Sequence, residues 1–401
     1  MKEKTDGRIG RVQEVFTTFL RLGLTSFGGP IAHLGYFRRE FVERRGWVGD
    51  SQFAQLLALC QFLPGPASSQ LGFSLGLLRA GWPGAIAAFI AFTLPSALLL
   101  FAFAALLPHF SGETGSAAIH GLKLVALAVV AQGVLGMSRQ LCPDAPRAAI
   151  ATFSAVIILV FGLAWVQLLV VALGAIAGLA FCRDVQPVPG AGLHLRYGPQ
   201  LGWTLLALFL LLLIGLPFAS HGQAGLVAVS EAFYRAGALV FGGGHVVLPL
   251  LEETVVRPGW ISSDEFLSGY GAAQAVPGPM FTLAAYLGAR LPGAEGGAIG
   301  ASVALASIFL PGFLLVSGVL PLWRSVAGLP NAAAAIAGVN AAVVGLLGAA
   351  LYDPVWISAV RGPVDLAVAL AGFTLLAAWR ASALVVVVWC VAGSMAGAML
   401  F

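Results

Sequence analysis

The chain has 401 residues, of which 59% are hydrophobic and 9% are charged. Soluble domains carry roughly 25% charged residues, so this composition excludes an ordinary soluble protein. The runs 83–108 and 148–182 contain no Asp, Glu, Lys or Arg. A bilayer-spanning helix needs about 20 apolar residues, so both runs predict membrane spans. The formal net charge of +4 lies in connecting segments and indicates a membrane orientation instead of a nucleic-acid partner.

The first predicted segment covers 12–34 and contains the glycine motif Phe27-Gly28-Gly29-Pro30. A basic linker follows over 36–50. The next segment, 51–78, contains Pro64-Gly65-Pro66, which must break it into two half-helices because proline lacks an amide donor and clashes with the preceding turn. Further segments are predicted near 83–108, 118–137, 147–163, 164–182 and 201–219.

The same pattern then returns. Phe241-Gly242-Gly243-Gly244 stands 214 positions after the first glycine motif, and Pro277-Gly278-Pro279 stands 213 positions after Pro64-Gly65-Pro66. Later segments are predicted near 296–322, 331–351, 364–379 and 381–401. The register predicts an internal duplication, with a first repeat in 1–185, a connector and linking helix in 186–220 and a second repeat in 221–401.

We therefore predict an all-α polytopic membrane protein of two inverted-topology repeats with broken or re-entrant helices, joined by one extra transmembrane helix. The linking segment adds one crossing, so the second repeat begins on the opposite face. The first linker is basic and its counterpart is acidic, which predicts a cytoplasmic N-terminus and an external C-terminus. A parallel arrangement stays open if only one of the elements that flank the first linker is re-entrant.

Paired helix breaks at corresponding places in two repeats point to the binding site of a transporter. A helix that starts at Pro66 aims free backbone amides at its N-terminus, which favours an anion. Serine and threonine hydroxyls follow both breaks, and glycines permit close approach of the backbone. The candidate substrate-binding residues in these motifs are Gly28, Gly29, Pro64, Gly65, Pro66, Ser68, Ser69, Gly242, Gly243, His245, Pro277, Gly278, Pro279 and Thr282.

Three cations complete the candidate site. Arg21 and Arg235 each precede the phenylalanine of a glycine motif by six residues, so the duplication preserves this charge. In inverted repeats they would converge on one cavity as forked donors for a tetrahedral oxyanion, with interface anchoring as the alternative. Lys123 lies in an apolar segment, where it could neutralise an anion or extend to the interface. Glu231 predicts an ion pair with Arg235, four residues later.

Three further polar residues lie near the motifs. His33 follows the first glycine motif and is expected to be a buried, hydrogen-bonded histidine. Gln61 and Gln274 precede the two breaks and could either cap freed backbone groups or bind substrate. The four cysteines are far apart and form no CxxC pair, which indicates apolar packing and not a metal or redox role.

The glycine motif, the charged linker closing with Gly46-Trp47, and Pro64-Gly65-Pro66 resemble the chromate ion transporter family. Because the glycine motif and Pro-Gly-Pro recur in the second half, the resemblance is to the long, two-domain form and covers essentially the whole chain. It implies a secondary transporter that exports chromate from the cytoplasm across the inner membrane and confers chromate resistance. Gly244, where the first motif has Pro30, departs from the pattern.

Chromate is a dianion, so a negative-inside membrane favours its exit by roughly 4.6 kcal/mol per 100 mV. Membrane potential alone is then a sufficient driving force, and proton coupling stays open. Transport of sulfate or another oxyanion is one alternative, and an anion channel is another. The sequence predicts no enzyme and no cofactor, because flavin, haem and metal motifs are lacking. The expected partners are the anion and the lipid bilayer, and formation of a homodimer is left open.

Overall fold

The computed structural model describes residues 2–27, 29–109, 112–161, 164–182, 195, 197–220, 225–241, 246–323 and 330–400. Its first half contains α1 (Lys2–Thr25), α2 (Gly29–Phe37), α3 (Asp50–Phe62), α4 (Ala67–Ala80), α5 (Trp82–Leu106), α6 (Glu113–Leu141), α7 (Ala145–Phe161) and α8 (Ala164–Phe181). Helix α9 (Pro199–Ser220) leads to the second half. That half contains α10 (Leu226–Ala238), α11 (Val247–Leu251), α12 (Ser263–Gln274), α13 (Leu283–Arg290), α14 (Gly297–Val319), α15 (Pro330–Ala350), α16 (Pro363–Ala377) and α17 (Ala383–Leu400).

Helix bounds agree with the apolar segments of the sequence to within a few residues at most ends. The two Pro-Gly-Pro breaks are confirmed, because α3 ends at Phe62 and α12 ends at Gln274. Pro66 was expected as the first helical residue and instead directly precedes α4. The polar residues before Val12 belong to α1 from Lys2 onward. A helix can extend into water in this way because its backbone groups hydrogen-bond within the helix.

The two halves show the same succession of elements. In each, a short helix runs into a π-helical turn, Arg38–Arg44 in the first half and Glu252–Val256 in the second. A helix ended by Pro-Gly-Pro follows, then a second half-helix and a long helix with an internal proline, Pro95 or Pro311. One long helix and two shorter apolar helices complete each half. This order agrees with the predicted duplication, whereas the membrane orientation of each half stays a prediction.

The helices near the end of each half pack against helices of the other half. Helix α6 packs against α12, α16 and α17 of the second half, and α15 packs against α7 and α8 of the first. Small residues allow this close approach. Gly338 of α15 lies against Gly174 and Gly178 of α8, and Gly121 of α6 lies against Cys390 of α17. One large apolar core therefore contains residues from both halves.

Five helical stretches of the described chain are long and apolar enough to cross a membrane. They are Trp82–His109, Glu113–Leu141, Pro199–Ser220, Gly297–Leu322 and Asn331–Ala359. Helix α9 contacts α10 and α14 and exposes large apolar side chains such as Trp203 and Leu211. Such a surface suits contact with lipid, and the chain is an all-α polytopic membrane protein.

A substitution at Gly178 tests the contact between α8 and α15. A Cβ atom there would lie 2.3 Å from the carbonyl oxygen of Ala334. We expect Gly178→Val to lower the thermal stability of the detergent-purified protein, because overpacking costs about 1–3 kcal/mol. Gly348→Val is the matched control, since a Cβ at Gly348 would meet nothing within 4 Å. Equal unfolding temperatures for the two variants would contradict this helix packing.

Candidate functional site

Each Pro-Gly-Pro break is hydrogen-bonded to the opposite half of the molecule. The amide of Gly65 donates to the carbonyl oxygen of Val240 at 2.7 Å, and the amide of Gly278 donates to that of Ser26 at 3.0 Å. Ser26 and Val240 each directly precede the phenylalanine of a glycine motif. The break of one half therefore docks on the glycine motif of the other half.

The central glycine of each break fits into a proline kink of a long helix. Gly65 and Gly278 have positive φ angles of 122° and 104°. A Cβ on Gly65 would lie 3.1 Å from the Cα of Gly312, and one on Gly278 would lie 2.8 Å from the Oγ of Ser96. Gly312 and Ser96 directly follow the internal prolines of α14 and α5. Both breaks thus contact a long helix of the opposite half at corresponding places.

Gln70 caps the first break. Its Nε2 donates to the carbonyl oxygen of Pro64 at 2.9 Å and to that of Gly312 at 3.0 Å. From the sequence, Gln61 and Gln274 were the residues predicted either to cap the freed backbone groups or to bind substrate. Gln61 is exposed, and Gln274 donates at 3.4 Å to the carbonyl of Tyr270 within its own helix. Gln70 therefore satisfies freed backbone carbonyls of both halves.

The N-terminus of α4 offers hydrogen-bond donors to a ligand. The first amide bonded to the preceding turn is that of Gln70, which donates to Pro66 at 2.9 Å. The amides of Ala67, Ser68 and Ser69 consequently have no acceptor within the helix. Pro66 stands at the N-cap position of α4, and no side-chain cap in the described part of the chain accepts a hydrogen bond from these amides there. The partial positive charge of this helix end favours an anion.

Three buried hydroxyls lie on the segments that meet at this helix end. The side chains of Ser26, Ser69 and Thr93 are 1%, 4% and 2% exposed. Within the described ranges, none of the three hydroxyl oxygens makes a hydrogen bond. Buried hydroxyls are normally bonded, so these three are available to a ligand. Ser69 is among the residues predicted from the sequence, whereas Ser26 and Thr93 are not. A lone hydroxyl in an apolar run, two residues before Pro95, is the signal that could have identified Thr93.

His33 connects these segments. Its Nε2 lies 3.1 Å from the carbonyl oxygen of Ser26, and its Nδ1 lies 3.5 Å from the Oγ of Ser68. The ring packs edge-on against Phe92 with the centroids 5.3 Å apart. His33 is fully buried, so the prediction of a hydrogen-bonded histidine is confirmed. It holds the first glycine motif against α4 and α5.

The second break has a different polar character. The Oγ1 of Thr282 donates to the carbonyl oxygen of Pro279 at 2.6 Å, and the amide of Thr282 donates to the same oxygen at 3.1 Å. Its hydroxyl is therefore already used within the turn Met280–Thr282. Pro277 is buried beside it. The first break is consequently the better supplied with free donors.

The three candidate cations lie in different surroundings. Arg21 is exposed on α1. The Nε of Arg235 lies 2.9 Å from Oε1 of Glu231, which confirms the predicted pair. The Nζ of Lys123 lies 2.5 Å from Oδ1 of Asp264, across the boundary between the halves. In the described part of the chain, no hydrogen bond joins these cations to either break, and their convergence stays a prediction.

Four of the candidate residues, Gly28, Gly242, Gly243 and His245, lie outside the described residues, and their roles stay predictions. Gly29 is described at the start of α2 with a φ of 74°. A Cβ there would meet nothing within 4 Å, so its backbone conformation, and not a close contact, favours glycine at this position.

Helices of membrane length, joined through two interlocked helix breaks and a helix end suited to an anion, define a polytopic membrane transporter. The family model described as "Chromate transporter" matches the chain twice, over residues 13–179 and 227–398. The chain belongs to the chromate transporter family.

Curated relatives agree with this assignment. The chain is 31% identical to a chromate transport protein of Pseudomonas aeruginosa, over 97% of this chain and 92% of the relative. It is 28% identical to a chromate transport protein of Cupriavidus metallidurans, over 90% and 85% of the two chains. A probable chromate transport protein of Synechococcus elongatus is also 28% identical, over 83% and 82%. No solved structure matches the chain.

Proposed function

We propose that the protein exports chromate from the cytoplasm across the inner membrane and so confers chromate resistance. The family and the names of the relatives support chromate as substrate. The hydrogen-bond donors without partners at the first break support the location of the binding site there. These donors are the buried hydroxyls of Ser26, Ser69 and Thr93, which make no hydrogen bond within the described residues, and the amides at the start of α4.

The chemistry of chromate suits these donors. A tetrahedral dianion accepts hydrogen bonds on every oxygen and donates none, so a site of hydroxyls, amides and a helix N-terminus complements it. Sulfate has the same shape and charge and is the second candidate substrate. Because all the donors are fixed by the folded backbone or by buried side chains, little reorganisation is needed on binding.

Transport requires the site to open alternately to the two sides. We propose inverted repeats in residues 1–185 and 221–401 joined through α9, with the N-terminus in the cytoplasm and the membrane potential as driving force. Arg21, Arg235 and Lys123 would supply positive charge. Lys123 and Arg235 are engaged in ion pairs here, so their contact with an anion belongs to a conformation in which those pairs have opened.

The direct test is uptake of radiolabelled chromate into inside-out vesicles with the membrane potential clamped and sulfate as competitor. Saturable uptake that resists sulfate and follows the potential would establish an electrogenic chromate exporter. A change with the pH gradient at constant potential would add proton coupling. Sulfate flux without chromate flux would overturn the substrate, and conductance that does not saturate would indicate an anion channel.

Hydroxyl deletions test the location of the site. We expect Ser69→Ala and Thr93→Val each to raise the KM for chromate by about tenfold to about a hundredfold, because a hydrogen bond to a charged group contributes about 1.5–3 kcal/mol. The control is Ser302→Ala, whose exposed hydroxyl donates only to Ala298 of its own helix. Protein abundance in the membrane is measured in parallel. An unchanged KM in both site variants would place the anion elsewhere.

A further inference from the structure

A cleft outside the first break brings a cation, a carboxylate and an amide together. Its polar walls are Gln167 of α8, Arg235 of α10 and Glu253 of the turn Glu252–Val256, and Val343 of α15 forms part of its apolar wall. It is a narrow cleft that is partly open to solvent. Since α8 belongs to the first half and the other elements to the second, the cleft lies on the boundary between the halves.

The position of the cleft relates it to the second glycine motif. Leu239 and Val246, on either side of this motif, both line it. At the corresponding place in the first half, His33 fills the space and bonds to Ser26. The second half has valines at Val246 and Val247, which are shorter and have no polar atom to bridge the motif. The second half therefore has no imidazole at the positions that correspond to His33.

The charges in the cleft are balanced. The Nε of Arg235 lies 2.9 Å from Oε1 of Glu231, in a geometry that makes no hydrogen bond. Oε2 of Glu253 accepts a hydrogen bond from Nε2 of Gln167 at 3.3 Å and lies 3.4 Å from the Nε of Arg257. Two carboxylates thus compensate two arginines. A dianion binds at Arg235 when the pair with Glu231 has opened, and loss of the charge on Glu253 favours this binding because like charges in a partly buried site repel.

We propose that this cleft is a second oxyanion site, in which the anion binds at Arg235 when Glu253 carries a proton. The proposal takes its ligand class from the proposed oxyanion transport. Arg235 is close along the chain to Val240, whose carbonyl accepts the amide of Gly65, so the cleft and the first break contact the same segment of the second half. The cleft is therefore a point at which anion and proton binding are linked on the way to or from the main site.

Glu253 is the carboxylate suited to this role. It lies in the connector between α11 and α12, outside the membrane-length helices, and burial raises its pKa although Arg257 and Arg235 act to lower it. The charged groups around it are Arg235 from α10, which also pairs with Glu231, and Arg257 and the carboxylate of Glu252 from its own turn, while α8 contributes the neutral Gln167. Because the anion favours the protonated form, its affinity increases as pH falls through the pKa of Glu253.

Equilibrium binding of radiolabelled chromate to the detergent-purified full-length protein tests this linkage, with the affinity at each pH calculated for the chromate dianion because chromate itself takes up a proton near neutral pH. We expect affinity to rise as pH falls through the raised pKa of Glu253, by up to about tenfold per pH unit for one linked proton. Glu253→Gln should bind at the higher pH as tightly as the wild type does at the lower pH, with no pH dependence. Arg235→Gln should lose the pH-dependent binding. Glu113→Gln, an exposed carboxylate on α6, should behave as the wild type.

The outcomes separate the two proposals. Wild-type binding that does not change with pH would overturn the cleft proposal without any variant, as would pH dependence retained in folded Glu253→Gln or Arg235→Gln. Vesicles without chromate flux would overturn the proposed function. If radiolabelled sulfate then bound with a pH dependence that Glu253→Gln removes, the cleft would stand as an oxyanion site and only the chromate assignment would fail.

Discussion

Gly278→Ala is expected to reduce chromate transport to background. Gly278 has a φ of 104°, which alanine adopts only with strain, and a Cβ there would lie 2.8 Å from the Oγ of Ser96. Backbone strain and overpacking each cost about 1–3 kcal/mol. The backbone can relieve both only by moving, which would break the hydrogen bond from Gly278 to Ser26 and displace the first glycine motif from α4.

The measurement is vesicle uptake normalised to membrane protein abundance. Gly348→Ala is the control, because its Cβ meets nothing within 4 Å. Adding Ser96→Ala to Gly278→Ala should restore a small part of the transport, since it removes the closest collision and leaves the strain and the contacts with the Cβ of residue 96 at 3.2 Å and the carbonyl oxygen of Phe92 at 3.3 Å. Wild-type uptake in Gly278→Ala would contradict the interlocked breaks. Normal abundance without uptake would show that the interlock serves transport and not assembly alone.

The breaks themselves were predictable from the sequence because their cause is local. Proline cannot continue a helix, so Pro64-Gly65-Pro66 and Pro277-Gly278-Pro279 mark helix ends whatever surrounds them. The repeat was predictable for a related reason, since its special residues keep their register. Apolar runs likewise gave the helices, because membrane spans need uninterrupted length.

The partners of the breaks were not predictable from the sequence. Gly65 bonds to Val240 and Gly278 to Ser26 through backbone atoms, and a backbone acceptor leaves no signature in residue identity. Thr93 was overlooked because one hydroxyl in an apolar helix can bond to its own preceding turn. Only the fold shows that this hydroxyl is buried without a hydrogen-bond partner among the described residues.

The ion-pair partner of Lys123 was not predictable from the sequence either. The sequence placed it in an apolar segment, which suggested either an anion ligand or a side chain extended to the interface. The structure instead pairs it with Asp264, which follows it by 141 positions and begins a helix of the other half. A pair so distant in sequence is set by tertiary packing, and neither residue alone indicates the other.

The Lys123–Asp264 pair leads to an asymmetric stability prediction. The side chain of Lys123 is 3% exposed and that of Asp264 is 63% exposed. Asp264→Ala leaves a buried ammonium without a partner, which costs about 3–5 kcal/mol. Lys123→Met leaves an exposed carboxylate in the first turn of α12, where the helix N-terminus stabilises it. We therefore expect Asp264→Ala to lower the unfolding temperature strongly and Lys123→Met to lower it little.

Thermal unfolding of the purified variants checks this, and the double variant Lys123→Met with Asp264→Ala should recover most of the stability. Asp50→Ala is the matched control, because Asp50 begins α3 and pairs with Arg38 on the exposed surface, where ion pairs contribute about 0–1 kcal/mol. Equal losses for Asp264→Ala and Lys123→Met would contradict the burial difference. Uptake by Lys123→Met then decides the role of the lysine. Retained transport would assign it to packing between the halves, whereas a stable protein without transport would support contact between Lys123 and the anion.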